Sequence, residues 1–247
     1  EMNMHIPQTL NAKAEIMQLM MVPKQVISPQ SNKPVIGIVQ DTLLGSNLIT
    51  RRDVFIEKDV MMNMLMWVKF DGKIPEPCIL KPKQLWSGKQ LFSIIIPNDI
   101  NLALFNNSFS RDKKGKDGEK QKDQDPFLHA QDLYIYIDQG KLLAGTLDKK
   151  ILGASSGGLI HTIWMEHGPR ETQRFIDHCQ GLVNYWLLQR GFTIGIGDTI
   201  ADADTRAQIR ETIEEAKKNV DELTQKIKAN NLERKPGMTV MQTFEAG

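Results

Sequence analysis

Residues 27–44 carry the side chains whose types and spacing are best suited to lining a functional site. The segment reads ISPQSNKPVIGIVQDTLL. Its two prolines push Ser28 and Lys33 into extended conformations, because the residue before a proline avoids the helical region. An amide and a carboxylate stand side by side at Gln40 and Asp41. We therefore predict a locally irregular but rigid segment that shapes a polar site.

Two other stretches invite a phosphate-binding interpretation. The first is Trp86-Ser-Gly-Lys-Gln. A Walker motif would need Gly at position 83 and Ser or Thr at position 90, but this chain has Lys83 and Gln90 there. We predict instead a turn that leads into the run 91–96, which is apolar except for Ser93. The second, Gly153-Ala-Ser-Ser-Gly-Gly, could cradle a phosphate with backbone N–H groups at a helix start. Helix entry through glycines of positive φ is the favoured prediction, with His161 as a structural histidine rather than a ligand or base.

Metal chemistry has weak support in the sequence. Asp198 and Asp202 are four residues apart, but two carboxylates are too few for calcium, and helix capping is the simpler role. Cys78 and Cys179 have no zinc-site spacing. We predict two buried or half-buried thiols in a reducing compartment.

The composition is that of an ordinary soluble globular protein of one large domain or two small ones. The 247 residues are 40% hydrophobic and 25% charged, with a net charge of +1. Near balance, the charge predicts no strong attraction to nucleic acid or membranes. No apolar run approaches the roughly twenty residues of a membrane span, and no signal-peptide layout is present, so an intracellular protein is expected.

Several elements must position the candidate residues. Alternation in residues 1–6 predicts a strand that Pro7 stops, and Thr9 can cap a helix to about Met21. A second helix is predicted over residues 39–50, and Asp59 is expected to cap a third, Met-rich core helix. The predicted buried face of the first helix consists of Leu10, Ala14, Met17 and Met21.

The middle of the chain predicts short strands followed by a long buried helix. Ile79-Leu80 is expected to form one strand, and residues 133–145 two strands joined by a tight Asp-Gln-Gly-Lys turn. Gly168-Pro169 starts a helix that Gly191 ends. Its predicted buried stripe consists of Phe175, Cys179, Leu182, Val183, Trp186 and Leu187.

A charged insertion and a heptad helix mark the rest of the chain. Eleven of the fifteen residues 111–125 are charged, which predicts a flexible surface insertion. Residues 204–230 predict a long helix with a narrow apolar seam that needs a partner helix. Pro236-Gly237 then turns the chain toward such a partner. Because the chain opens at Glu1 in a strand-like pattern and stops within the second helix, we expect a piece of a longer protein. The seam consists of Ile209, Ile213, Ala216, Val220, Leu223 and Ile227.

A series of ordered motifs resembles the largest subunit of eukaryotic RNA polymerase II. They are EMNMHIPQ, MMVP, SPQSNKP, GIVQDTL, LKPK, LWSGKQ, GGLIH, NYWLL, GF and GIGDTIAD, and they run through nearly the whole chain except around residues 105–131. The resemblance implies an α+β fold in which irregular helices and short strands of a pore module precede the long helix of a helical hairpin in the funnel. It implies that residues 1–30 end the active-site module, residues 31–203 form the pore module and residues 204–247 begin the funnel.

The resemblance also implies which residues adjoin the chemistry. In that family an Asp-x-Asp-x-Asp loop that holds the catalytic Mg²⁺ comes just before the Glu-Met-Asn segment, outside this chain. No catalytic and no metal-binding residue is therefore expected here, and the chain alone should not polymerise RNA. Glu1, Asn3 and His5 are expected at the edge of the active site. Gln40 and Asp41 are expected to line the pore or face the RNA 3′ end, unless these side chains only join the strand and helix.

The implied partners are the other polymerase II subunits, the DNA template and RNA transcript, and a transcript-cleavage factor at the funnel. The implied location is the nucleus, with no membrane contact. Two alternatives remain. One is a stand-alone, non-catalytic module that binds a partner through the helix 204–230. The other is an independent nucleotide-binding enzyme that uses the loop 153–161.

Overall fold

The computed structural model describes residues 3–70, 72–106, 130–229 and 235–245, with residues 130 and 131 described by their backbone alone. The chain divides into two compact units, Glu1–Gly191 and Phe192–Gly247. Helices and small antiparallel sheets alternate in the first unit, and a long helix dominates the second. The predicted α+β fold with a long helix is confirmed. Among the described helices, none is long and apolar enough to cross a membrane.

The first unit is built from short elements around one long helix. Its α-helices are α1 (Leu10–Glu15), α2 (Gln40–Ile49), α3 (Lys58–Leu65), α4 (Gly88–Ser93), α5 (Ala130–Leu133), α6 (Lys149–Leu152), α7 (Leu159–His167) and α8 (Pro169–Arg190). Its strands are β1 (Ile27–Ser28), β2 (Lys33–Pro34), β3 (Phe55–Glu57), β4 (Leu85–Ser87), β5 (Leu102–Phe105), β6 (Tyr134–Asp138) and β7 (Lys141–Ala144). They pair antiparallel as β1–β2, β3–β4 and β5–β6–β7.

Helix α8 forms the centre of the core, as its sequence pattern predicts. Pro169 stands in its first turn and Gly191, at φ +73°, ends it. The predicted stripe is buried except for Leu187, which is half-buried. Helices α2, α3 and α7 pack on α8. The approach of α2 is close, since a Cβ at Gly45 would lie 2.5 Å from Val183 Cγ1. The burial of this stripe contributes to the hydrophobic stabilisation of the unit.

The three-stranded sheet also follows its sequence pattern. Asp138 pairs with Lys141, and the turn between them has positive φ at Gln139 (47°) and Gly140 (71°). Such a turn matches the right-handed twist of a hairpin. Ile135, Ile137 and Leu142 point into the core. The opposite face exposes Tyr134 and Tyr136. The two predicted strands and their tight turn are confirmed.

The structure corrects the predictions for the first twenty residues. Residues 3–8 are irregular, because among the described residues they pair with no other strand. Thr9 does cap α1, accepting a hydrogen bond from the Ala12 N–H at 3.1 Å, but α1 ends at Glu15 and Ile16–Met20 form a π-helix. The predicted buried face is exposed, with Leu10 at 84% and Met17 at 52%. The spacing of apolar residues predicts a helix, but it does not show that another element packs on the apolar face of that helix.

Three further predictions are wrong in their local detail. Helix α3 begins at Lys58 after Glu57, so Asp59 lies inside its first turn instead of capping it. Of its methionines, Met61 and Met64 are buried, whereas Met62 is exposed. Ile79 forms only an isolated bridge with Leu85, because the neighbouring prolines lack donors for a strand.

The stretch after Trp86 forms a helix instead of a turn into an apolar run. Ser87 accepts a hydrogen bond from the Gln90 N–H, and the Gln90 side chain accepts one from the Ser87 N–H. This capping box starts α4 at Gly88. The stretch therefore caps a helix in place of binding a phosphate.

The second unit contains a 3₁₀ turn (Ile196–Thr199), the helix α9 (Ala203–Lys228) and the short helix α10 (Val240–Glu245). Helix α9 confirms the long helix predicted over residues 204–230, with bounds that differ by one residue at the start and two at the end. No residue of α9 is buried, and the seam residues Ile209, Ile213 and Val220 are about half exposed, at 50%, 49% and 54%. Gly237 turns the chain at φ +79° before α10. The predicted insertion, residues 111–125, lies outside the described residues.

Candidate functional site

Residues 27–44 form a small hairpin followed by an extended run and a helix start. Ile27 pairs with Pro34 and Ser28 with Lys33, so both residues before the prolines are extended, as predicted. Asn32 in the turn has φ +47°. The Val35 N–H donates to the Val26 carbonyl at 2.8 Å, which extends the hairpin by one bond. The prolines and these hydrogen bonds make the segment irregular but well held.

This segment lies directly against the second Gly-rich stretch. The Ile38 N–H donates to the Leu152 carbonyl at 2.8 Å. A Cβ at Gly37 would lie 2.6 Å from Ala154 N and 2.7 Å from the Gly153 carbonyl carbon, so only glycine fits there. The structure therefore brings together two motifs that are over a hundred residues apart in the sequence.

Gln40 begins α2 in an unusual backbone conformation. Its φ is +50°, whereas Val39 before it is extended with φ −136°. Residues other than glycine seldom adopt positive φ, and such outliers are enriched at functional sites. The side chains of Gln40 and Asp41 are both exposed. Asp41 lies in the first turn of α2, where the helix dipole favours a negative charge.

The first turn of α2 is tied to α8 through a polar contact. Thr42 Oγ1 donates to Asn184 Oδ1 at 2.9 Å, and Asn184 is itself exposed. One turn further, the Ser46 hydroxyl donates to the Thr42 carbonyl at 2.7 Å. An amide, a carboxylate and a hydroxyl–amide pair therefore share one helix start. These groups can hydrogen-bond a polar ligand, and the packed core below them holds them in place.

The Gly-rich stretch itself behaves as a helix entry. Gly157 has φ +71°, and Gly158 is the N-cap of α7. The Gly157 N–H donates to His161 Nδ1 at 3.0 Å, so an N–H that a phosphate cradle would use is already bonded within the chain. This geometry agrees with the predicted structural role of His161.

Of the three residues expected at the active-site edge, two are described. Asn3 and His5 lie in the exposed irregular segment before α1. Within the described ranges, neither side chain forms a hydrogen bond or ion pair. Glu1 lies outside the described residues.

The two candidate carboxylates near α9 act as caps. Asp202 accepts a hydrogen bond from the Thr205 N–H at 3.0 Å. Hydrogen bonding to the Thr205 side chain, and then to this N–H, lowers the pKa of Asp202. Asp198 accepts one from the Gly195 N–H at 2.8 Å. In the described part of the chain, no group of three or more His, Cys, Asp or Glu side chains could hold a metal ion.

The two thiols differ sharply in their surroundings. Cys179 is fully buried in α8, as predicted, and burial raises its pKa to about 12 despite a contact with Ser46. Cys78 is exposed, which corrects the prediction for that residue. It lies in the proline-rich surface segment before β4, and its thiol donates to the Leu85 carbonyl at 3.3 Å.

Sequence reasoning missed two polar groups with long-range partners. Asn184 gave no signal, since an exposed Asn on an amphipathic helix is ordinary. Lys89 lies 3.6 Å from Asp132 and donates to the Thr50 carbonyl at 2.5 Å, with the two charged side chains only 13% and 10% exposed. Burial lowers the pKa of Lys89, and the Asp132 carboxylate opposes this shift.

Comparisons with known proteins agree with this arrangement of motifs. Residues 25–199 match a family model described as RNA polymerase Rpb1, domain 3. Over 246 residues, the chain is 40% identical to the DNA-directed RNA polymerase II subunit RPB1-B of Trypanosoma brucei brucei. That match covers 100% of this chain and 13% of the trypanosome protein. The family match contains the whole of the hairpin, the α2 start and the Gly-rich stretch.

Proposed function

Because this chain belongs to the RNA polymerase Rpb1 family, we propose that it forms part of the largest subunit of DNA-directed RNA polymerase II. Its role there is to shape the pore and funnel through which nucleotides and backtracked RNA pass beneath the active site. Residues 1–30 would end the active-site module, residues 31–203 would form the pore module and residues 204–247 would begin the funnel.

One observation carries the pore-lining role. Gln40 and Asp41 are exposed at a helix start whose backbone is held on both sides, by the Ile38–Leu152 bond and by the Thr42–Asn184 bond. A rigid, polar, outward-facing group suits a passage that must guide a charged ligand without trapping it. Asn3 and His5, with Glu1 before them, are proposed to lie at the edge of the active site.

The residues that the structure describes do not fit the catalytic metal. The described residues contain no cluster of three metal-binding side chains, and two-metal nucleotidyl transfer needs clustered carboxylates. We therefore assign Mg²⁺ in the intact enzyme to residues outside this chain. The chain alone is proposed to be inactive, and extension of an RNA primer by the purified chain with Mg²⁺ and nucleotides would overturn this.

The proposed partners are the other subunits of the polymerase, its DNA template and RNA transcript, and a transcript-cleavage factor at the funnel. The proposed location is the nucleus, where such an enzyme works. The 40% identity to a polymerase II subunit supports these assignments.

The test of the lining role uses the assembled polymerase. Gln40→Ala and Asp41→Asn, placed in the largest subunit, should change elongation or the cleavage of backtracked transcripts by about fivefold, the equivalent of one hydrogen bond of about 1 kcal/mol. Gln139→Ala is the matched control, since Gln139 is also an exposed glutamine of positive φ. Unchanged rates in all three variants, or equal changes, would contradict a lining role for Gln40 and Asp41.

A second candidate function rests on α9. Its apolar seam is half exposed along the helix, as a surface that binds another helix would be. In this alternative the chain is a non-catalytic module that binds a partner through residues 204–230. Light scattering on the purified chain tests one form of it: Ile213→Lys should abolish self-association if the seam pairs with a second copy, and Lys218→Glu, on the face opposite the seam, should not.

A further inference from the structure

A groove between residues 67–70 and the first half of α8 carries cationic side chains that the proposed pore role does not use. A cavity of about 450 Å³ is lined by Trp67 and Lys69 on one side and by Arg170, Arg174 and His178 of α8 on the other. An adjoining cavity of about 300 Å³ shares Lys69, Arg174 and His178. Both volumes are of the size that small ligands occupy in proteins.

Positive charge prevails in this groove. Lys69 and Arg170 are exposed, and within the described ranges neither lies within 4.0 Å of a carboxylate oxygen. Arg174 contacts Glu171 at 3.6 Å, with both side chains about half exposed (48% and 43%), so the pair is weak and solvated. Asp177 is the second carboxylate of the lining, so three cations face two anions. The N-terminus of the 22-residue helix α8 adds positive potential at Arg170.

The groove is held in place without a ligand. His178 Nε2 accepts a hydrogen bond from the Lys69 N–H at 3.3 Å, which fixes the two walls to each other. Burial lowers the pKa of His178, and the Arg174 guanidinium lowers it further, so the ring stays a neutral acceptor. A site whose walls are already joined loses little entropy when a ligand binds.

An aromatic ring stands at the same groove. Trp67 is 60% exposed, and its ring lies 6.0 Å from that of Tyr185, tilted by 32°. Among the described residues, much of the Trp67 side chain is left exposed to solvent. Exposed aromatic rings beside cations are the features with which proteins bind nucleotides and single strands, by stacking on the base and pairing with the phosphate.

We infer that this groove binds a phosphate-bearing anion, with Lys69, Arg170 and Arg174 contacting phosphate oxygens and Trp67 stacking on an attached base. Arginine suits this role because its planar group can donate two parallel hydrogen bonds to one phosphate. The phosphate could belong to a free nucleotide or to an RNA strand, and the test separates these sources.

The test is isothermal titration calorimetry, in which inorganic pyrophosphate, ATP and a short single-stranded RNA are each titrated into the intact chain. We expect saturable binding of pyrophosphate, weakened about tenfold by Lys69→Gln or Arg170→Gln through loss of a charge-assisted hydrogen bond. Lys83→Gln removes the same charge from an exposed site elsewhere and should leave the affinity unchanged. Asp177→Asn, which removes a lining carboxylate, should strengthen binding. Because these side chains are exposed, melting curves should show that the variants fold.

The ligand source follows from Trp67→Ala. This variant should weaken ATP or RNA binding but leave pyrophosphate binding unchanged, and whichever of ATP and RNA binds more tightly identifies the source. No saturable binding of pyrophosphate, ATP or RNA up to about 10 mM, the range of negligible affinity, would overturn the inference. An equal loss of affinity in Lys83→Gln would also overturn it, because binding would then be a non-specific effect of charge.

Discussion

At the scale of single residues, Gln40 combines a strained backbone with an exposed side chain. Its φ of +50° resembles that of Gln139, at +47°. At Gln139 the hairpin turn between β6 and β7 requires that conformation. At Gln40 no turn requires it, since the residue opens a helix. The positive φ of Gln40 therefore points to a functional role of its exposed side chain.

Glycine substitutions separate strain from function at these two positions. Positive φ costs a non-glycine residue about 1 kcal/mol, so Gln40→Gly and Gln139→Gly should each raise the free energy of unfolding by up to about that amount, less the entropy that glycine adds to the unfolded chain. Urea unfolding of the purified chain measures this. In the assembled polymerase only Gln40→Gly should alter elongation. A loss of stability in Gln40→Gly would show that contacts of the side chain outweigh the strain.

The two cysteines should differ in reactivity toward alkylating reagents, because one thiol is exposed and the other is buried. Cys78 is exposed, whereas burial raises the pKa of Cys179 to about 12. Because the thiolate is the reactive form, iodoacetamide should modify Cys78 quickly and Cys179 only when the chain unfolds. Mass spectrometry of the labelled chain, with and without urea, distinguishes the two sites. Rapid labelling of Cys179 in the native chain would mean that α8 opens locally.

The same thiol makes stability depend on alkaline pH. The folded pKa of Cys179, about 12, lies above its ordinary value of 9.0, so the folded state holds a proton that the unfolded state releases. The contribution is complete below pH 9 and is lost as the pH rises toward 12. Urea unfolding at about pH 8.5 and about pH 10.5 should show a fall in the free energy of unfolding of the unsubstituted chain, and a smaller fall in Cys179→Ala.

At the scale of elements, α9 is a helix that must be maintained mainly by local interactions. No residue of its 26 is buried, so its start depends on the Asp202 cap. Asp202→Ala should reduce the helical signal in circular dichroism, and Asp202→Asn, which can cap as well, should preserve it. Hydrogen bonds from the side chain and the N–H of Thr205 lower the pKa of Asp202, so the charged cap acts fully above the ordinary value of 3.8 and weakens as the pH falls through the lowered pKa. An unchanged spectrum in Asp202→Ala would show that other contacts hold the helix.

The elements that could be predicted from the sequence are those with strong local signals. Helix α8 has a proline at its start, a glycine at its end and a continuous apolar stripe between them. The β6–β7 hairpin has alternation and a turn with glycine. Helix α4 could not be predicted from the run 91–96, since a short run with five apolar residues in six suits a strand or a helix equally. Its capping box decided the outcome.

The candidate site was predictable only in part for a physical reason. The prolines and the Gln40–Asp41 pair are local features, and the structure confirms the extended residues and the helix that follows. The partners of the segment are distant in sequence, since Thr42 bonds Asn184 and Gly37 lies against Gly153. Such contacts depend on how helices pack, and no spacing within a single sequence encodes them.

At the scale of the whole molecule, buried polar groups connect the end of β5 to the start of β6, the two strands that flank the predicted insertion. The Asn106 N–H donates to the Leu133 carbonyl at 3.0 Å. The Asn106 side chain donates to the Asp132 carbonyl at 3.1 Å, and Lys89 reaches the Asp132 carboxylate from α4. Thr146 also donates to the Asp132 carbonyl. The strands on both sides of residues 107–129 are therefore joined by contacts among described residues.

Deleting residues 111–125 should consequently leave the thermal midpoint nearly unchanged, because eleven of the fifteen are charged and none is apolar, while residues 107–110 and 126–129 remain to connect the strands. Lys89→Met is the opposite case. It leaves the buried Asp132 carboxylate without its cation and should lower the free energy of unfolding by about 3 kcal/mol, which Lys89→Met combined with Asp132→Leu should largely restore. Scanning calorimetry of the three variants measures both effects. A fall of many degrees on deletion would show that the charged segment packs on the protein and that the closure at Asp132 is insufficient to hold the sheet.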